Sequence, residues 1–233
     1  MIWIEKNNEP TYLKKLQEKS SQKNLSPTES YKHLKGKKKH SIRQILVEEQ
    51  GSLCAYCMCR IPRTGVDKGI AQITIEHIVP QHSSDTANNN QGLDYYNLVA
   101  VCNGNRTKRG NHKINDLTCD AHKGNIEFRK INPTKLNTLT SIYYTLDGKI
   151  DATDPDVRFD LVETLNLNCP TAPLIAERKA ALDSLIEGIS YVAEENIIEY
   201  CTSIYNCLLA ESNPKTPYVG ILLWYLETIL NYK

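Results

Sequence analysis

Four cysteines constrain this chain more than any other feature of it. Cys54 and Cys57 form a C-x2-C pair, and two thiolates at that spacing can reach one tetrahedral zinc ion at ~2.3 Å. The same pair fits a thioredoxin-like redox motif, but that motif belongs beside a βαβ pattern, which the surrounding sequence lacks. A closed zinc site needs two more thiolates. Cys102 and Cys119 supply them from either side of a 16-residue polar loop, as a stretched second half of the knuckle. The bland alternative is four unrelated thiols. Cys59 lies too near Cys57 in sequence to share the same ion comfortably and is read as a bystander. Cys169, Cys201 and Cys207 stand apart from other ligand types and are expected to be core thiols.

The rest of the composition agrees with a metal reading of the cysteines. No run of about 18 apolar residues occurs, so no membrane span is expected. The first residues show no basic stretch leading into an apolar one, so a secretory signal is not expected and a cytoplasmic chain is. Eight cysteines in that setting are no disulfide framework. A net charge of +1 over 233 residues hides a strong asymmetry. Residues 1–50 carry 11 Lys/Arg against 6 Asp/Glu, residues 51–135 carry 11 against 7, and residues 136–233 carry 6 against 14. The field that a polyanion meets is local, so the first two segments suit nucleic acid and the last does not.

Element signals divide the chain in the same places. Tyr12, Leu13 and Leu16 keep helical spacing, Ser26-Pro27-Thr28-Glu29 reads as a helix start, and a helix from Ser41 is expected to end at Gly51. Residues 60–72 and 82–92 read as loops. Ile73–Ile75 and Leu98–Val101 are short apolar runs that predict two strands. From Pro173 the apolar positions adopt a 3.6-residue period, which predicts three C-terminal helices, the last over Tyr218–Leu230. The expected organisation is a helical basic segment (1–50), a small core (51–135) and an acidic α-helical domain (136–233).

Between the cysteines lies Glu76-His77-Ile-Val-Pro80, a strand end that puts an acid and an imidazole on opposite faces. Asn97, just before the second strand, can hydrogen-bond the imidazole and set its tautomer. The ordered set Cys54-x2-Cys57, Glu76-His77-x2-Pro80, Asn97-Leu98, Cys102 resembles the zinc-stapled HNH (ββα-metal) nucleases. With Cys119-Asp120-Ala-His122-Lys123-Gly124 and the helical C-terminus, it resembles the PtuB-type subunits of Septu antiphage systems, which also accompany some retrons.

The resemblance implies an α+β fold, a small zinc-stapled ββα-metal core flanked by an N-terminal helical segment and a C-terminal α-helical domain. It implies a metal-dependent endonuclease that hydrolyses DNA phosphodiester bonds, double-stranded DNA as partner, and a PtuA-like ATPase subunit alongside. Such nucleases often follow the second knuckle with Asn or His as the last ligand of the catalytic ion. Here Asn105 stands three positions after Cys102, so Cys119 is inferred to supply the thiolate and Asp120 the ligand, with His122 as the competing candidate. Glu76 and Asp120 would then hold Mg²⁺ or Mn²⁺, His77 would act as general base, and Zn²⁺ would be structural. Arg106, Lys108, Arg109, Lys113 and Lys123 crowd the same region as phosphate contacts, and Trp224 and Tyr225 are expected at the ATPase. The alternative is a non-catalytic zinc-stapled nucleic-acid-binding or scaffold subunit, which has no reason to combine Glu76-His77 with Asn97.

Overall fold

A computed structural model describes residues 1–62, 69, 73–81, 92–106 and 113–232. It is α+β, with helices at both ends and two short hairpins between them. Three helices open the chain: α1 (Thr11–Gln22), α2 (Pro27–Lys32) and α3 (Gly36–Glu49). α2 starts as its sequence predicts, with Ser26 and Glu29 closing a capping box and Pro27 in the first turn. α3 begins five residues before the expected Ser41, because Lys37–Lys39 are good helix formers and extend it upstream.

The first hairpin pairs β1 (Thr74–His77) antiparallel with β2 (Leu98–Val101), setting Glu76 opposite Val99 and His77 opposite Leu98. All four residues of β2 are buried, which explains why its sequence is apolar throughout rather than alternating. The amide of Gln50, just past α3, bonds both the N–H and the C=O of Ala100, at 2.7 and 2.8 Å, so a side chain completes the ladder. The Cys54–Cys59 loop closes on itself through Cys54 N–H to Cys59 O (2.9 Å) and joins β2 through Ala55 N–H to Ala100 O (3.1 Å). The next element, α4 (Cys119–Lys123), is a helix of five residues. Gly104 lets the chain after β2 press against it. A Cβ there would lie 2.3 Å from Thr118 O, and φ is +63°. Only glycine fits that approach.

The acidic part is not wholly helical. Residues 136–233 also hold a second hairpin, β3 (Ile142–Tyr144) with β4 (Ile150–Ala152). Its signal was the Asp147-Gly148 pair, with Gly148 at φ +88° and its Cα so near Ile175 O that a Cβ would sit at 2.4 Å. α5 (Pro155–Phe159) and a π-helical turn (Asp160–Thr164) follow, then α6 (Leu174–Ser190), α7 (Ile197–Ala210) and α8 (Val219–Leu230). Cys169 and Cys201 are buried as expected, but Cys207 is exposed, a correction. It lies on α7 six residues after Cys201, which at 3.6 residues per turn turns it to the other face.

One hydrophobic cluster runs from Met1 and Ile4 through both hairpins to Leu226. Backbone bonds tie the two halves together: Cys119 N–H to Leu165 O (2.8 Å), Tyr218 N–H to Met58 O (3.0 Å) and Lys215 N–H to Gly51 O (2.9 Å). The buried Asp160 carboxylate accepts three successive N–H groups, from Arg129, Lys130 and Ile131. Among the described residues no helix is long and apolar enough to cross a membrane.

Candidate metal centre and active site

The four cysteines converge. The sulfur atoms of Cys54, Cys57, Cys102 and Cys119 all lie within 4.8 Å of one another, and all four residues are buried. Neighbouring sulfurs stand 3.7 Å (Cys102–Cys119), 3.8 Å (Cys57–Cys102) and 4.0 Å (Cys54–Cys119) apart. Four sulfurs at ~2.3 Å from a tetrahedral zinc would be spaced by about 3.8 Å, so the set fits that ion. Hydrogen bonds from Cys102, then Cys119, hold the Cys57 thiol down to about 6, while the bond with Cys102 pushes the Cys119 thiol up, so the sulfurs share protons as one cluster. Cys119 takes a left-handed φ of +54°, costly for a residue with a Cβ, and its N–H bond to Leu165 O helps keep it there. Cys59 is buried beside the four without belonging to their mutually close set.

The centre ties the β1–β2 hairpin to α4, and the residues at that junction form a second cluster. Glu76 and Asp120 are in side-chain contact. Glu76 Oε1 also accepts from Lys123 Nζ at 2.8 Å and from the Tyr56 hydroxyl at 3.3 Å. Burial, then the Asp120 charge, pushes the Glu76 carboxyl up to about 8 against the pull of Lys123. Two carboxylates in contact, one buried and one half-buried, form an oxygen donor set suited to a hard divalent ion.

His77 points elsewhere, as alternation along a strand requires. Its Nε2 lies 3.0 Å from Gly92 O, a carbonyl that can only accept, so Nε2 carries the proton. Nδ1 is then the basic nitrogen, and the Gln81 amide nitrogen lies beside both ring nitrogens, 3.2 Å from Nδ1 and 3.1 Å from Nε2. The Tyr31 ring meets the imidazole edge-on at 4.8 Å. Burial lowers His77 to about 4, with the Gly92 bond opposing and the Lys123 charge assisting. The ring is neutral at physiological pH, which leaves Nδ1 unprotonated, while the same burial opposes the charge it would gain as a base.

Three expectations change. Asn97 was to hold the imidazole, yet its amide brackets the backbone of Val79, accepting from N–H at 2.8 Å and donating to C=O at 3.0 Å. It steadies the chain that follows His77, while Gly92 sets the tautomer. His122 does not join Glu76: its Nδ1 lies 3.0 Å from Thr164 O, on the π-helical turn. Asp120, two residues earlier on α4, is the one in contact with the carboxylate. Lys123 was expected to reach phosphates but is 1% exposed, its ammonium between Glu76 and His77 O (3.4 Å) and over the Phe128 ring.

Of the other phosphate candidates, Arg106 and Lys113 are exposed, and Lys108 and Arg109 lie outside the described residues. Tyr31, Tyr56 and Gln81 were missed. Tyr56 had a signal, since it sits inside the C-x2-C pair; the other two reach the site only through the fold.

No family model matches the chain. A protein of Escherichia coli named "Retron Ec83 putative HNH endonuclease" is 27% identical over 158 residues, covering 55% of this chain and 60% of the relative. The chain therefore matches less than two thirds of that relative's length, and is similar to it across that part.

Proposed function

We propose that this chain is an HNH-type endonuclease that hydrolyses DNA phosphodiester bonds with the aid of a divalent ion, as the effector of a retron- or Septu-type antiphage system. The observation that carries the reading is the pairing of a neutral, tautomer-set His77 with the Glu76–Asp120 carboxylates, on a hairpin and helix held together by four thiols. The E. coli relative's printed name supports the same class of enzyme.

His77 Nδ1 takes the proton of the attacking water, while the Nε2–H bond to Gly92 O keeps the ring in place and offsets part of the charge it gains. Glu76 and Asp120 would hold Mg²⁺ or Mn²⁺, which when bound neutralises charge on the phosphate oxygens. Lys123 sets the position of the Glu76 carboxylate from its buried side. Asn97 fixes the turn after His77 and with it the aim of the imidazole. The four thiols would hold Zn²⁺ as a closed, structural centre. A PtuA-like ATPase belongs to the same proposal, with half-buried Trp224 and Tyr225 of α8 at the contact.

The test is cleavage of plasmid DNA by the purified chain with Mg²⁺ or Mn²⁺, alone and with its ATPase. Cleavage that needs the ion and His77 supports the reading. A His77→Ala chain that cuts as well as the wild type refutes it.

A further inference from the structure

Between residues 30 and 47 the chain has no Asp or Glu but carries Lys32, Lys35, Lys37, Lys38, Lys39 and Arg43. None of the six was among the phosphate candidates chosen from the motif region. Lys32, Lys35, Lys37 and Lys38 are exposed, and Lys39 is half-buried. The first turn of α3 holds no acidic residue. Cations there oppose the helix dipole. Stability alone would favour acids at these positions.

The tract is aimed at the candidate active site. Lys39 Nζ lies 4.7 Å from the centre of the Tyr31 ring, and that ring stands edge-on to His77 at 4.8 Å. Imidazole, phenol and ammonium thus form one continuous stack from the proposed base to the surface. Arg43, one turn further along α3, donates Nε–H to Ile73 O at 2.8 Å, directly before β1. That bond pins the helix to the strand that delivers Glu76 and His77. Lys39 is also close enough for its charge to oppose protonation of His77.

We propose that the exposed lysines of this tract, Lys35, Lys37 and Lys38, bind the sugar–phosphate backbone of the nucleic acid, and that the Lys39–Tyr31–His77 stack places that backbone at the base. The proposal rests on the nuclease reading and adds a docking surface to it. The contacts are to phosphates and carry no base information, so the surface is sequence-independent.

The test is fluorescence anisotropy of the full chain with a labelled duplex DNA and with a duplex RNA of the same sequence, across a salt series without added divalent ion. Lys35→Ala/Lys37→Ala/Lys38→Ala should lower the slope of log K against log salt by about 2–3 and weaken binding on the order of 10–100-fold at ~0.1 M salt. The triple Lys→Arg variant should keep both the slope and the affinity. Such a loss on either duplex supports the proposal. An unchanged slope in the alanine triple, or a wild-type chain that binds neither duplex, overturns it.

Cleavage by His77→Ala is scored separately. Loss of cutting in His77→Ala with an unchanged slope in the alanine triple refutes the tract and spares the nuclease. The reverse pattern refutes the nuclease and spares the tract.

Discussion

Lys123 Nζ stands 2.8 Å from Glu76 Oε1, with the two side chains 1% and 8% exposed. An ammonium and a carboxylate so placed have lost most of their hydration, and each depends on the other to offset that loss. The pair links the last turn of α4 directly to the end of β1, whereas the cysteines join α4 to the Cys54–Cys59 loop and the end of β2. Lys123→Met should leave Glu76 beside Asp120 without its counter-charge, push its carboxyl further up and lower stability in urea denaturation. Glu76→Gln/Lys123→Met should cost less than the two single changes added together. Strict additivity would show that the two groups do not interact.

His77→Ala should slow DNA cleavage by ~10²–10⁴-fold, the usual worth of a general base, with the bound zinc unchanged. Steady-state cleavage rates and elemental analysis of one preparation check both halves. A loss of only about two-fold would remove His77 from the base role.

His77 also predicts a pH effect on stability. Burial puts its folded value at about 4, below the ordinary 6.5, so the folded chain binds fewer protons than the unfolded one between those limits. The stability from a neutral His77 is complete above 6.5 and is lost as pH falls toward 4. The Glu76 carboxyl, held up at about 8, titrates with the opposite sign in both chains, so the His77 part is read as the difference: between pH 4 and 6.5 the wild type should gain more stability than His77→Gln as pH rises, by chemical denaturation. Equal slopes in the two chains would contradict the assigned burial effect.

Cys119→Ser should lose zinc and unfold the β1–β2 and α4 region, since the binding energy of a structural zinc is folding energy. Cys59→Ser and Cys207→Ser should keep a full equivalent. Retained zinc in Cys119→Ser would break the four-thiol assignment.

Asp120→Ala should resemble Glu76→Ala, with cleavage that needs far more divalent ion. His122→Ala loses one hydrogen bond to Thr164 O and should cost about 1 kcal/mol of stability with near-normal ion dependence. Titrating cleavage against Mn²⁺ separates the two, and a severe His122 variant beside a mild Asp120 one would exchange their roles.

Short-range pattern carried a large share of the architecture. The C-x2-C pair, the apolar run Leu98–Val101, the Ser26 capping box and the periodicity after Pro173 each depend on neighbours a few residues apart, and each gives an element where the sequence places it. The four-thiol set was legible as well, because Cys54 and Cys57 have a ligand spacing and Cys102 and Cys119 bracket the polar loop that follows.

What each polar side chain does at the site was not legible. Asp120 and His122 lie two residues apart, and which one meets Glu76 depends on how α4 sits against β1 and the π-helical turn. Lys123 reads as a surface cation until the hairpin, Tyr56 and Phe128 close around it. Asn97 finds Val79, and His77 finds Gly92, across 18 and 15 residues of chain. Burial and hydrogen-bond partnership are properties of elements packed together. No spacing within one element encodes them, so the surroundings of Glu76, His77, Asp120 and Lys123 were decided by the tertiary fold.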